Sequence, residues 1–176
     1  MNLQPLLENE LVVIRPLSAQ DYDELYKAAS DPAIWEQHTT TDRWKPKGFR
    51  TFFEESLASK GAMVIINKST NQIIGSSRYH QEPDTPEAVE IGWSFLTKAY
   101  WGGLFNRSFK TLMIEHALED KTDVLFLIAK DNFRSQKATE KLGCERLSKE
   151  DYPLYFRKEK THYTYRINAD IWNKSA

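Results

Sequence analysis

The segment DVLFLIA, residues 123–129, is apolar at six of its seven positions. A run so uniformly apolar and so short reads as a strand covered on both faces. The chain therefore needs a sheet with layers above and below it. Its flanks supply candidate layers. Upstream, Phe109, Leu112, Met113, His116 and Ala117 fall on one face of a helix expected from about Asn106 to Glu119. Downstream, NFRSQKATEKLG reads as a second helix closed by Gly143. In the middle the period changes to that of strands. AMVIINKSTNQIIGSSRYHQ predicts two strands around a polar turn at Lys68 to Asn71, and AVEIGWSFL predicts a third, giving an antiparallel meander.

Near the start, Leu11 to Leu17 predicts a strand, and Ser18 with Asp21 three residues later has the spacing of a capping box. That helix ends near SDP, because the residue before Pro32 is pushed out of helical geometry. A short helical piece including Ile34 and Trp35 follows, then a helix through FRTFFEESLASKG stopped at Gly61. Two final strands are expected near CERLS and in HYTYRINADIW. The order predicts an α/β fold with a mixed, mostly antiparallel sheet flanked by helices. A length of 176 residues suits one domain over residues 1–176.

Charge and cysteine content exclude several function classes. With 24 basic and 25 acidic residues, no global positive field recruits nucleic acid or an anionic membrane. The one cysteine, Cys144, has no partner for an internal disulfide, and MNLQPLLENE lacks the basic and apolar regions of a signal peptide. No apolar stretch approaches the roughly 18 residues of a membrane span. The expectation is a cytoplasmic protein with no membrane partner. The four histidines lack the spacing of metal ligands, so no metal site is expected.

One loop invites a ligand. YWGGLFNRSF sets Gly102 and Gly103 before a helix, together with Asn106, Arg107 and Ser108. A helix N-terminus exposes unpaired N–H groups and the positive end of its dipole, which suits a phosphate. An ordinary tight loop has the same composition, so both readings stand at this level. No Lys-Ser or Lys-Thr pair follows the glycines, and the three-glycine dinucleotide spacing is absent, which disfavours a nucleoside triphosphate.

The run EIGWSFLTKAYWGGLFNRSFKTLMIEHAL, followed by LIAKDNFRSQKATEKLGCE, resembles the acyl-CoA-binding core of the GNAT superfamily of N-acetyltransferases. It is most similar to the branch that includes the RimJ and RimL ribosomal-protein N-terminal acetyltransferases. The element order matches that fold from LVVIRPLSAQDYDELYKAASDP to YTYRINADIW. The resemblance implies a sheet splayed where acetyl-CoA enters. In that family a loop of pattern Q/R-x-x-G-x-G/A wraps the pyrophosphate. It corresponds here to Trp101, Gly102, Gly103, Leu104, Phe105, Asn106 and Arg107, with departures at Ala99 and Leu104 that Arg107 or Lys98, and Gly103, would offset. Asn132 and Ser135 stand in the N-x-x-S spacing that touches pantetheine and the phosphate-bearing end of the cofactor, and Arg134 and Lys137 are candidates for the ribose phosphate. The amides of Ser94, Phe95 and Leu96 would hold the pantetheine and polarise the thioester carbonyl.

The resemblance also implies an activity: acetyl transfer from acetyl-CoA to a primary amine, either a protein N-terminal α-amine or a small molecule, by direct attack in a ternary complex. The amine must lose a proton first, and Glu90 occupies the strand position where many relatives carry a carboxylate base. A salt-bridge role for Glu90 is equally open. Strand alternation puts Val89, Ile91, Trp93 and Phe95 on one face and Glu90, Gly92 and Ser94 on the other. Tyr152, Tyr155, Tyr163 and Tyr165 are candidates for the acid that protonates the leaving thiolate, Tyr163 being the one carried forward. HTTTDRW, His38 to Trp44, lies where the superfamily builds its acceptor cleft. A non-catalytic CoA sensor and a ribosome-associated binding module are the alternatives, and a homodimer is compatible with the family.

Overall fold

The computed structural model describes residues 1–156 and 160–175. Its strands are β1 (Leu7–Glu8), β2 (Val12–Pro16), β3 (Ala62–Asn67), β4 (Gln72–His80), β5 (Ala88–Leu96), β6 (Asp123–Ala129), β7 (Glu145–Arg146) and β8 (His162–Asn168). The helices are α1 (Tyr22–Ala29), α2 (Pro46–Ala58), α3 (Leu104–Leu118), α4 (Phe133–Glu140) and α5 (Ala169–Ser175). One sheet forms in the order β1-β2-β3-β4-β5-β6-β8-β7. Every pairing in it is antiparallel except that of β5 with β6. No helix among the described residues is long and apolar enough to cross a membrane.

Local chemistry explains the boundaries. Before α1, the Asp21 carboxylate accepts from the Ser18 N–H at 2.8 Å and takes a two-pronged bond from Arg15 at 2.7 and 2.8 Å. Burial opposes charge on Asp21, but the Arg15 and Ser18 bonds outweigh it and hold the carboxyl below its ordinary range. Helix α2 starts at Pro46, three residues ahead of the expected Phe49, since proline is at home in a first helical turn. Helix α3 starts at Leu104 rather than Asn106. Its first residue is exposed and stands off the apolar stripe from which the start was inferred. The strand expected through HYTYRINADIW stops at Asn168, whose Oδ1 accepts the Ile171 N–H at 3.0 Å and caps α5.

Two cores cover the sheet. On one face Met63, Ile65, Val124 and Phe126 pack with Phe109, Met113 and Ala117 of α3. On the other, Val64, Ile66 and Phe95 pack with Leu25 of α1, Trp35, and Phe49, Phe52 and Phe53 of α2. Each Val, Leu, Ile, Met or Phe among them contributes about 1.5–3 kcal/mol on burial. As DVLFLIA predicts, β6 is covered on both faces, with Val124 and Phe126 in the α3-side core and Leu125 packed with Ala88 and Tyr155.

Strand β5 departs from simple alternation. Arg78 pairs with Gly92 but Ser76 with Phe95, so β5 carries one extra residue, and Trp93 there has φ of +51°. The bulge reverses the side-chain faces. Val89 and Ile91 join the α3-side core, while Trp93 and Phe95 join the α1–α2 side. The expectation that all four share a face is corrected by that one inserted residue.

The bulge sits beside a second irregularity. Strand β5 pairs with β6 only at Ala88, Val89 and Glu90. Beyond Glu90 the two part: β5 stays with β4 as far as Leu96, and β6 stays with β8 as far as Ala129. The divergence leaves a gap in mid-sheet, between two strands that are each held on their other side.

Candidate active site

A cavity of about 540 Å³ occupies that gap. Its long walls are residues 91–96 of β5 and 126–129 of β6. On the α3 face it reaches Gly102, Gly103, Asn106 and Arg107, and α4 adds Arg134, Ser135 and Lys137. On the opposite face it reaches Ile34, His38, Thr39 and Arg43, from the segment between α1 and α2. A cavity open to both layers of the sheet can seat two molecules end to end across it.

The α3 end is built for close approach. Gly103 is the N-cap of α3, so the first-turn N–H groups point outward from Leu104 onward. Gly102 is left-handed, with φ of +67°, and a Cβ there would meet nothing within 4 Å. Glycine at this position serves both a backbone turn and open space. Ser108 lies outside this end, since its Oγ donates to Asn9 Oδ1 at 3.0 Å.

Midway, Glu90 lines the wall and is only 6% exposed. A Cβ on Gly92 would stand 2.8 Å from Glu90 Oε1, so the glycine two residues on makes room for the carboxylate. Past the bulge, Ser94 turns toward α3 and accepts a 2.7 Å hydrogen bond from Lys110 Nζ. Ser77 Oγ lies 2.8 Å from Ser94 Oγ and extends the chain. Lys110 is buried and its ammonium lies 5.1 Å from the centres of both the Phe109 and Phe126 rings. Burial pushes its pKa down to about 7, against the opposing pull of Glu90.

Other expected residues fall differently. Ser94, Phe95, Leu96, Trp101, Gly102, Gly103, Asn106, Arg107 and Ser135 line the cavity with Glu90. Leu104 is exposed, and Phe105 packs edge-on against Tyr100. Asn132 caps α4, its Oδ1 accepting the Ser135 N–H at 3.1 Å. Tyr163 is outside the lining: it packs against the α3-side core with Lys130 and Arg146 over its ring. Tyr155 donates to Asp123 at 2.9 Å and Tyr165 to Glu140 at 3.0 Å, so those hydroxyls are engaged elsewhere. Arg134 spans the cleft mouth, donating to the carbonyls of Ala33 and Ile34 and stacking 3.9 Å over Trp101. It is spent on this clamp, leaving Lys137 as the basic residue of α4 on the wall without such a tie among the described residues.

Lys110 and Arg43 are wall residues that sequence reasoning did not single out. Lys110 had a signal: it falls three residues before Met113, on the apolar stripe of α3, where a charge is out of place. Arg43 had only its place in HTTTDRW.

The same fold recurs in known proteins. Residues 12–145 match the family described as acetyltransferase (GNAT) domain. Among solved structures, a GCN5-related N-acetyltransferase from Brucella melitensis superposes with a TM-score of 0.76 at 17% identity, covering 97% of this chain and 81% of that one. An acetyltransferase of the GNAT family from Bacillus anthracis gives 0.71 at 16%, covering 94% and 99%. RimJ from Mycobacterium smegmatis, in complex with CoA-disulfide, gives 0.69 at 13%, covering 95% and 87%. The match extends over most of the chain, from β2 through the splayed strands to β7, and the chain belongs to the GNAT family of acetyltransferases.

Proposed function

We propose that the protein transfers an acetyl group from acetyl-CoA to a primary amine by direct attack, with both molecules held in one cavity. The observation that carries this reading is the cavity itself, which passes through the sheet where β5 and β6 part and opens toward α3 on one face and toward the α1–α2 segment on the other.

The residues of the α3 end fit a pyrophosphate. A helix N-terminus with open backbone above Gly102 and Gly103 offers several N–H donors to an anion without a steric barrier. Arg107, exposed at the same mouth, supplies a fork of donors in place of the residue that Ala99 lacks. Between the parted strands, the stretch 91–96 offers backbone groups with no β6 partner, suited to an extended amide-bearing arm. Acetyl-CoA supplies an activated thioester. Glu90, directly or through a water, takes the proton of the incoming ammonium; the freed nitrogen bonds the thioester carbon held by the amides of Ser94 to Leu96, the C–S bond breaks, and CoA leaves as a thiolate that takes up a proton.

The acceptor is a primary amine, either a protein N-terminal α-amine or a small molecule, and the cavity end open toward the α1–α2 segment admits both. The test is direct: thermal melts with and without CoA, and thiol release from acetyl-CoA over a panel of primary amines. CoA should raise the melting temperature and at least one amine should accelerate thiol release. Stabilisation by CoA with no amine-dependent release would replace the enzyme with a CoA-binding sensor.

Direct attack carries its own prediction. Burial pushes the Cys144 thiol up to about 12, and the residue is 7% exposed, which leaves it without a thiolate at neutral pH. Cys144→Ala should therefore retain turnover within about twofold. A folded Cys144→Ala protein that had lost activity would point to an acyl-enzyme instead.

A further inference from the structure

The end of the cavity on the α1–α2 side is cationic, and its charge is not consumed by the fold. Arg43 lines it with its guanidinium 4.8 Å from the centre of the Phe52 ring and 5.6 Å from that of Trp35. Among the described residues Arg43 makes no hydrogen bond and no ion pair. Glu55 and Asp42 are within electrostatic reach but neither pairs with it, and burial lowers its pKa despite their pull. Arg78 stands nearby on β4, buried, its guanidinium 4.5 Å from the Trp93 ring centre; it donates to Ser56 Oγ at 2.6 Å and leaves its Nε–H without a partner. His38, on the same wall, is held neutral: burial, with Arg43 and Arg134 beside it, pushes its pKa down to about 4.

The two rings offset part of the hydration the guanidinium loses but engage none of its N–H donors, which are left for a ligand. The rings also hold the fork in one orientation, which favours a planar, two-oxygen partner. Glu90 lines the same cavity from the sheet side, with charge of the opposite sign. The cavity thus presents a carboxylate to a ligand's ammonium and a guanidinium to a ligand's anion.

We propose that the acceptor is an amine that also carries a carboxylate, and that Arg43 binds this carboxylate while the amino group faces Glu90. The proposal rests on the acetyl-transfer reading above and names its substrate class. Arg43 is a binding residue for the acceptor and takes no part in the proton transfer.

The experiment uses matched amines that differ only at the acid: the free carboxylate, its primary amide and its methyl ester. For the parent protein, kcat/KM should favour the carboxylate by about 10–100-fold, the range expected for hydrogen bonds to a charged group. In Arg43→Gln the acid-to-amide ratio should fall to near one, through KM for the acid, and Arg43→Lys should restore part of it. A second readout needs no turnover: the N-acetylated carboxylate should stabilise the parent in a thermal melt and fail to stabilise Arg43→Gln, whose fold is checked by circular dichroism. Equal rates for acid, amide and ester, or a preference for the acid that survives in Arg43→Gln, would overturn the proposal. If no amine of any kind is acetylated, the transfer reading fails, and the binding arm still decides whether Arg43 holds a carboxylate.

Discussion

Glu90→Gln is expected to lower kcat by about 10²–10⁴-fold while leaving stabilisation by CoA unchanged. The replacement keeps the size and polarity of the side chain and removes its ability to accept a proton. The space for it is already set, since Gly92 leaves room above the strand and Glu90 itself is buried beside the parting of β5 and β6. An acceptor amine with a pKa of about 8 for an α-amino group, or about 10 for a lysine, arrives mostly as ammonium at neutral pH. A base must take that proton before the nitrogen can attack. Raising the pH supplies neutral amine from solution, so Glu90→Gln should regain part of its rate in alkali while the parent gains less. A Glu90 that served only as an ion-pair partner would lose stability on substitution and show no such selective recovery. Turnover of Glu90→Gln at the parent rate at pH 7 would remove Glu90 from the mechanism.

How far the sequence foretold this site can be followed residue by residue. The meander 62–96, the buried strand 123–129 and the helices beside it follow from hydrophobic period alone, because each spans enough residues for its period to register. Glu90 entered differently, from the resemblance to a family that carries a carboxylate at that strand position, and Gly102 and Gly103 from the sharp turn before a helix start. The bulge at Trp93 was not legible. A single inserted residue changes which face Trp93 and Phe95 occupy without disturbing composition, and only the paired register with Ser76 and Arg78 reveals it. The two-residue strand β1 is too short to carry a period, and its pairing with β2, not its own residues, defines it, whereas β7 falls inside the strand expected near CERLS. Arg43 in its loop, and the clamp that Arg134 makes from the first turn of α4, were obscured because an arginine looks the same in sequence whether it meets solvent, a carbonyl or a ring. Their roles depend on contacts across the chain, Arg134 reaching Ile34 a hundred positions away.

Lys110→Met should make the protein more stable and its cofactor site weaker. A lysine at the centre of α3, 6% exposed between Phe109 and Phe126, is charged in the unfolded chain up to pH 10.5 but in the folded one only up to about 7. Burial is the chief cause; Glu90 opposes it only in part, and the neighbouring Cys144 is a neutral thiol at these pH values. The sign of the linkage follows. Between pH 7 and 10.5 the unfolded state binds the proton that the folded state has lost, so stability rises with pH across that window. Below pH 7 the burial penalty is present in full. Methionine has similar length and no charge, and it should stabilise by about 2–3 kcal/mol at pH 6, raising Tm by roughly 4–12 °C. The advantage should shrink steadily toward pH 10.5. The same substitution removes the 2.7 Å bond to Ser94 Oγ that steadies the strand beyond the bulge, so KM for acetyl-CoA should rise by roughly tenfold. Thermal melts of both proteins from pH 6 to 10, with acetyl-CoA kinetics at pH 7.5, measure the two effects separately. A methionine variant less stable than the parent at pH 6, or a stability difference that does not change with pH, would mean that Lys110 is not a charge buried at a cost in the fold. Stability gained together with an unchanged KM would mean that its bond to Ser94 does not shape the site.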